Sequence, residues 1–242
     1  MNIFVEILVS LTKIFGGNLG LTIIFIGIIS RVIFFPLLKS SHKQIKLQRD
    51  LKPKLDEIKR KHKNDRRRQF EEQSKVFREA GFNPAVGCLS AIAQLVVAII
   101  LFNSLRGLLN FGLDNHFLFW DLAKPDTFSF NLVPFKLPGV LVVLTALATL
   151  IQSRMMLPEP LPVEKLDSKK EVSEKEDLTE ALASSQGQFV YFFPVLILFS
   201  GTIFSSGLAL YWLVSTLVGI VQQYYISGLG GLRSWLIFLV KN

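Results

Sequence analysis

Residues 189–226 read FVYFFPVLILFSGTIFSSGLALYWLVSTLVGIVQQYYI, an apolar run of 38 residues without Asp, Glu, Lys or Arg. As one α-helix it would be about 57 Å long, nearly twice the roughly 30 Å hydrocarbon core of a bilayer. It has to turn back on itself. Ser205-Ser206-Gly207 is the break available, so the run reads as two short spans, 189–204 and 208–226, joined by a tight turn.

Working outward, three further stretches have the length and apolarity of a span: 19–38, 85–105 and 139–157. The composition agrees, because half of the 242 residues are hydrophobic, 21 of them Phe, which is too apolar for an ordinary soluble domain. The fold class expected is an all-α membrane protein of five transmembrane helices. The single cysteine, Cys88, excludes an intrachain disulfide, and no Cys/His pairing has metal-ligand spacing, so neither a metal nor another cofactor is expected.

Residues 1–18 carry Ile3, Phe4, Ile7, Leu8, Leu11, Ile14 and Phe15 at helical spacing, broken by Gly16-Gly17-Asn18. That pattern predicts an amphipathic helix lying at the membrane interface rather than a signal peptide, for there is no basic start and no small-residue cleavage site.

Lys and Arg set the direction. The segment 39–80 holds 15 basic residues, whereas 106–138 holds only Arg106, Lys124 and Lys136. Loops rich in Lys and Arg stay on the cytoplasmic side, which puts the N-terminus outside and the C-terminus inside.

Within 39–81, Leu47, Leu51, Leu55 and Ile58 fall on one helical stripe, and a break at Lys63-Asn64-Asp65 precedes a second charged segment with Phe70 and Phe77. A cytoplasmic two-helix hairpin follows, kinked at Pro53. Its basic residues, Lys52, Lys54, Lys59, Arg60, Arg66 and Arg67 among them, fit a solvated face that enforces topology, and equally contacts with anionic lipid, ribosomal RNA or a nascent chain. The aromatic outer loop 110–135 is expected to cap the spans at the membrane surface, and 158–188, with eight acidic and four basic residues, reads as a cytoplasmic linker. Residues 227–242 read as a cytoplasmic tail, with Trp235 to Val240 resting at the interface.

One charge lies deep in a span. Arg31 sits seven residues before the end of 19–38, roughly 10 Å from the cytoplasmic edge, and no span carries an Asp or Glu to neutralise it. Placing Arg at such a depth costs about 2.5 to 3.5 kcal/mol on insertion scales, so it should face protein or water. Gln94, Gln152 and Asn103 are the amides on other spans, with Ser30 and Ser215 as smaller partners and Gln222 and Gln223 as more peripheral ones. Each alone would serve as interhelical glue; together they suggest a polar cavity open to the cytoplasm and suited to an anionic visitor.

Three blocks carry a resemblance: KPKLDEIKRKHKND at 52–65, GFNPAVGCL at 81–89 and GLALYWLVS at 207–215 followed by Gln222-Gln223. In this order, with Arg31 in Ile-Ser-Arg-Val ahead of Pro36, they resemble the YidC/Oxa1/Alb3 family of membrane protein insertases. The resemblance implies a five-helix bundle around a hydrophilic groove, with Arg31 attracting acidic groups of a substrate and Gln152 and Trp212 as its partners. Trp212 also has the placement of an outer-interface anchor. Implied partners are nascent membrane proteins and the lipid bilayer, with the ribosome and the general secretion translocon as further candidates and no DNA. A minimal bacterial plasma (inner) membrane form fits best. Ser90, Val96 and Ser205 stand where relatives often carry Pro.

Catalysis is not expected. His42, His62 and His116 read as loop residues, leaving no Ser/His dyad in the spans, and no Walker-type phosphate loop is present. The alternative class is an anion-binding transporter or channel, which the basic hairpin and the lack of an inverted repeat disfavour.

Overall fold

Helices α1 (Ile3–Ile14), α2 (Leu19–Ile33), α3 (Phe35–Lys61), α4 (Arg66–Glu79), α5 (Ala85–Leu108), α6 (Val140–Met156), α7 (Tyr191–Ser200), α8 (Ser206–Ser227) and α9 (Leu232–Lys241) dominate the computed structural model. It describes residues 3–63, 65–83, 85–108, 114–129, 136–157 and 191–241. The linker 158–188 and parts of the outer loop lie outside the described residues. The rest is two small antiparallel ribbons, β1 (His116–Phe117) with β2 (Trp120–Asp121) and β3 (Thr127–Phe128) with β4 (Leu137–Pro138).

Helix α8 is long and apolar enough to cross a membrane by itself, and α2 with α3 passes the same test as a pair bent by 65°. Helices α6 and α7 and the stretch Ile92–Ser104 of α5 are shorter apolar segments. Large apolar side chains point outward from these helices, including Leu89, Ile92, Leu95 and Ile99 of α5, Leu144 and Leu147 of α6 and Phe192 and Phe199 of α7. So much exposed apolar surface is what a lipid-facing exterior looks like.

Three helices run parallel with α8 between the other two. On α6, Thr145 Oγ1 donates to the Ala209 carbonyl of α8 at 3.3 Å, and Gln152 reaches the level of Gly219. On α2, Gly27 packs against Val214 and Arg31 against Gly219. All three therefore present their unpaired N-terminal N–H groups at one end. The ribbon loop closes that end. Asn18 Oδ1 accepts from Leu21 N at 3.0 Å, Asp126 Oδ2 accepts from Leu141 N at 2.7 Å, and the carbonyls of Lys124 and Leu122 accept from Ser206 and Gly207 N. The apolar core sits directly below: Val5 and Leu8, Leu19 and Ile23, Leu101, Leu122, Leu141, Leu208, Leu210 and Tyr211 form one buried cluster. In α1 the buried face is Val5, Leu8 and Thr12, while Phe4, Ile7 and Ile14 stay exposed.

Two boundaries differ from those read in the sequence. The first span was expected to run unbroken to residue 38, but the helix stops at Ile33 and restarts at Phe35. Pro36 explains the break, since it has no N–H for the Val32 carbonyl and fits only the first turn of a new helix. The reversal placed at Ser205-Ser206-Gly207 instead occupies 201–204, and Ser206 and Gly207 already belong to α8. Gly201 permits it by lying against Val142, where a Cβ would collide. The residues 227–242 taken as a tail contain α9, whose Trp235 stacks on Arg154 with the guanidinium carbon 4.4 Å from the ring centroid.

Candidate functional site

Below the apolar cluster the helix interfaces turn polar. Arg31, in the last turn of α2, is only 7% exposed. Its guanidinium lies on the bare backbone of Gly219 in α8: a Cβ there would come within 2.9 Å of Arg31 Nη1 and 2.5 Å of Gln152 Nε2. Glycine is thus what lets α2 and α6 deliver a cation and an amide to the same place on α8.

Around this seat Gln222 Nε2 donates to the Arg31 carbonyl at 3.2 Å. Buried polar atoms accumulate without hydrogen-bond partners among the described residues: Arg31 Nε, Gln222 Oε1, both amide atoms of Gln223, and both ring nitrogens of His42. Unpaired buried polar groups of this kind cost roughly 1–3 kcal/mol each unless water or a ligand satisfies them. Those near Arg31 have the chemistry to take hydrogen bonds from water or a ligand.

The residues singled out in the sequence divide in position. Arg31, Ser30, Gln152 and Ser215 line the contacts of α2 and α6 with α8, and Ser30 and Ser215 are both buried. Gln94 reaches across from α5, its Nε2 3.4 Å from both Tyr211 Oη and Ser215 Oγ. Trp212 lies farther toward the capped end, in a crevice of about 30 Å³ that it lines with Val142, Thr145, Ile197 and Gly201 between α6, α7 and α8. Asn103 is exposed on α5. In the hairpin Lys52, Lys54, Arg60, Arg66 and Arg67 are exposed and Lys59 half-buried; Arg67 pairs with Glu71 at 3.1 Å.

Three features escaped the sequence reading. Gly219 is the first, because nothing in a string shows which glycine faces two other helices. His42 is the second: expected in a loop, it is helical, 4% exposed, and its imidazole is pushed down to about 4, by burial first and then by the Arg31 charge. His62 lies in the turn that follows α3, as expected of a loop residue, whereas His116 lies in β1. The third is Arg49, on α3, which touches the ends of α6 and α8. Its depth in the fold depends on the bend at Phe34.

The family model described as 60Kd inner membrane protein matches residues 10–230, almost the whole chain. The chain belongs to that family. Among curated relatives it is 30% identical over 228 residues to the membrane protein insertase YidC of Fusobacterium nucleatum subsp. nucleatum, covering 94% of this chain and 95% of the relative. It is 31% identical to the protein of the same name in Geobacter sulfurreducens and 28% identical to that of Rickettsia massiliae, covering 34% and 36% of those longer chains. Family members of this description are inner membrane proteins, consistent with the apolar exterior of the helices.

Proposed function

We propose that this chain is a membrane protein insertase whose working surface is the polar region around Arg31, reached from the cytoplasm. The observation that carries the reading is a buried guanidinium that pairs with no carboxylate among the described residues, held on Gly219 beside Gln152, below an apolar cluster on helices whose far end is capped. Family membership and the relatives' names supply the insertase activity; the site supplies how it works.

In this account α2, α5, α6, α7 and α8 are the five membrane-crossing elements, with α4 and the outer half of α3 in the cytoplasm and the β ribbons outside. The excess of Lys and Arg in 39–80 supports that direction. A translocating segment must bring its polar groups through hydrocarbon, where each unpaired one costs several kcal/mol. Arg31, Gln152, Gln94, Gln222 and Gln223 offer hydrogen bonds part of the way across and so shorten the bare path. Arg31 adds attraction for a carboxylate, since among the described residues no carboxylate already pairs with it. The apolar cluster above it keeps the outer side shut to ions. No step needs ATP bound by this chain.

Reconstitution into vesicles tests the reading. Protease-protected client should accumulate with the wild-type chain and without ATP; a chain that is correctly embedded yet protects no client would overturn it. Reporters fused at Asn64 and Asp126 should report the cytoplasm and the exterior respectively.

A further inference from the structure

The guanidinium of Arg49 bridges two helix ends. Nη2 donates to the Ser227 carbonyl at 2.7 Å and Nη1 to the Met155 carbonyl at 3.2 Å. Ser227 is the last residue of α8 and Met155 the second-last of α6, so both carbonyls belong to the set that a helix leaves unpaired at its C-terminus. Two parallel helices bring the negative ends of their dipoles here, and a cation between them is favoured on that ground too. The α8–α9 turn makes room for it. A Cβ at Gly230 would collide with Arg49 Nη1 and the Met155 carbonyl, and Gly231 N donates to the Leu157 carbonyl at 2.9 Å, closing the turn over α6.

Arg49 itself is in the middle of α3, which continues to Lys61 and leads into α4. Along α8, Ser227 is eight residues beyond Gly219, about 12 Å at helical rise. From this arrangement we infer that Arg49 is a positioning residue: it holds the ends of α6 and α8 together at a fixed spacing and ties the cytoplasmic hairpin to them, so that hairpin and inner mouth move as one body. A planar fork with several donors suits the task, because one side chain reaches two carbonyls on different helices at once. The inference rests on the reading that the Arg31 region opens on this side.

Spin labels on Glu57 of α3 and Tyr225 of α8, both exposed, in a Cys88→Ser background of the full chain in nanodiscs, read the tie directly. The wild-type arrangement should give one narrow distance distribution. Arg49→Ala should broaden it and lower insertion roughly tenfold at matched amounts of folded protein, the equivalent of one hydrogen bond to a charged group. Arg49→Lys, which reaches one carbonyl at a time, should fall between on both readouts, and it carries the test if Arg49→Ala does not accumulate. An unchanged distribution in the variants, or a broadened one with full insertion, overturns the inference. Arg31→Ala should leave the distances narrow while lowering insertion of an acidic-tailed client; full insertion of that client by the variant would count against the groove reading alone.

Discussion

Arg31 and Gln152 approach each other from two different helices across Gly219 of a third, and the absence of a side chain at that one position is what allows it. Gly219→Ala should therefore act like a weak Arg31 variant. A Cβ there displaces the amide or the guanidinium, at a cost of about 1–3 kcal/mol for overpacking. Insertion should fall, and combining Gly219→Ala with Arg31→Ala should be no worse than Arg31→Ala alone, because both act on one contact. Additive losses in insertion would separate the two residues.

The cap on α6 is open to a stability measurement. Asp126 accepts from Leu141 N at 2.7 Å and more weakly from Val142 N, so Asp126→Ala should cost about 1 kcal/mol, with Asp126→Asn much milder. Thermal unfolding in detergent reads the difference. Equal behaviour of the two variants would mean that water replaces the cap.

How far the sequence reaches is visible here. Apolar runs place α2, α5, α6 and α8, and the paucity of intramembrane charge singles out Arg31, since those signals depend on burial in lipid alone. The break at Phe34, the reversal at 201–204 and the Gly219 seat depend on which neighbour lies opposite, as does the capping of α8 by the Leu122 and Lys124 carbonyls instead of by a Ser205 hydroxyl. A one-dimensional pattern carries no such information.

His42 predicts a pH dependence of stability. Its folded imidazole takes up a proton near pH 4, against 6.5 for the free side chain. Between those values the unfolded chain binds more protons, so stability is fully present above about pH 6.5 and declines as pH falls toward 4, by up to about 3 kcal/mol. His42→Gln should flatten that part of a stability–pH curve measured by denaturant unfolding. An identical slope in the variant would assign it to other groups.

The hairpin should be separable from the bundle only beyond the part that packs. Ser41 and His42 of α3 are buried and Arg49 holds two helix ends, whereas α4 buries no residue. Replacing residues 54–79 by a short polar linker should leave a stable membrane protein that inserts clients poorly. Starting the replacement at residue 43 should reduce the folded yield itself. Equal yields for the two would show that the inner half of α3 contributes nothing to the bundle.

The central claim, that the buried charge of Arg31 draws acidic groups of a client into the polar region, is tested most directly by client charge. Protease-protected client is measured in vesicles containing matched amounts of folded wild-type, Arg31→Lys or Arg31→Ala protein, with clients that differ only in acidic residues of the translocated tail. Arg31→Ala should impair acidic-tailed clients severalfold and neutral ones little, and Arg31→Lys should restore part of the loss, since it keeps the charge without the planar fork. Equal losses for acidic and neutral clients would contradict the account.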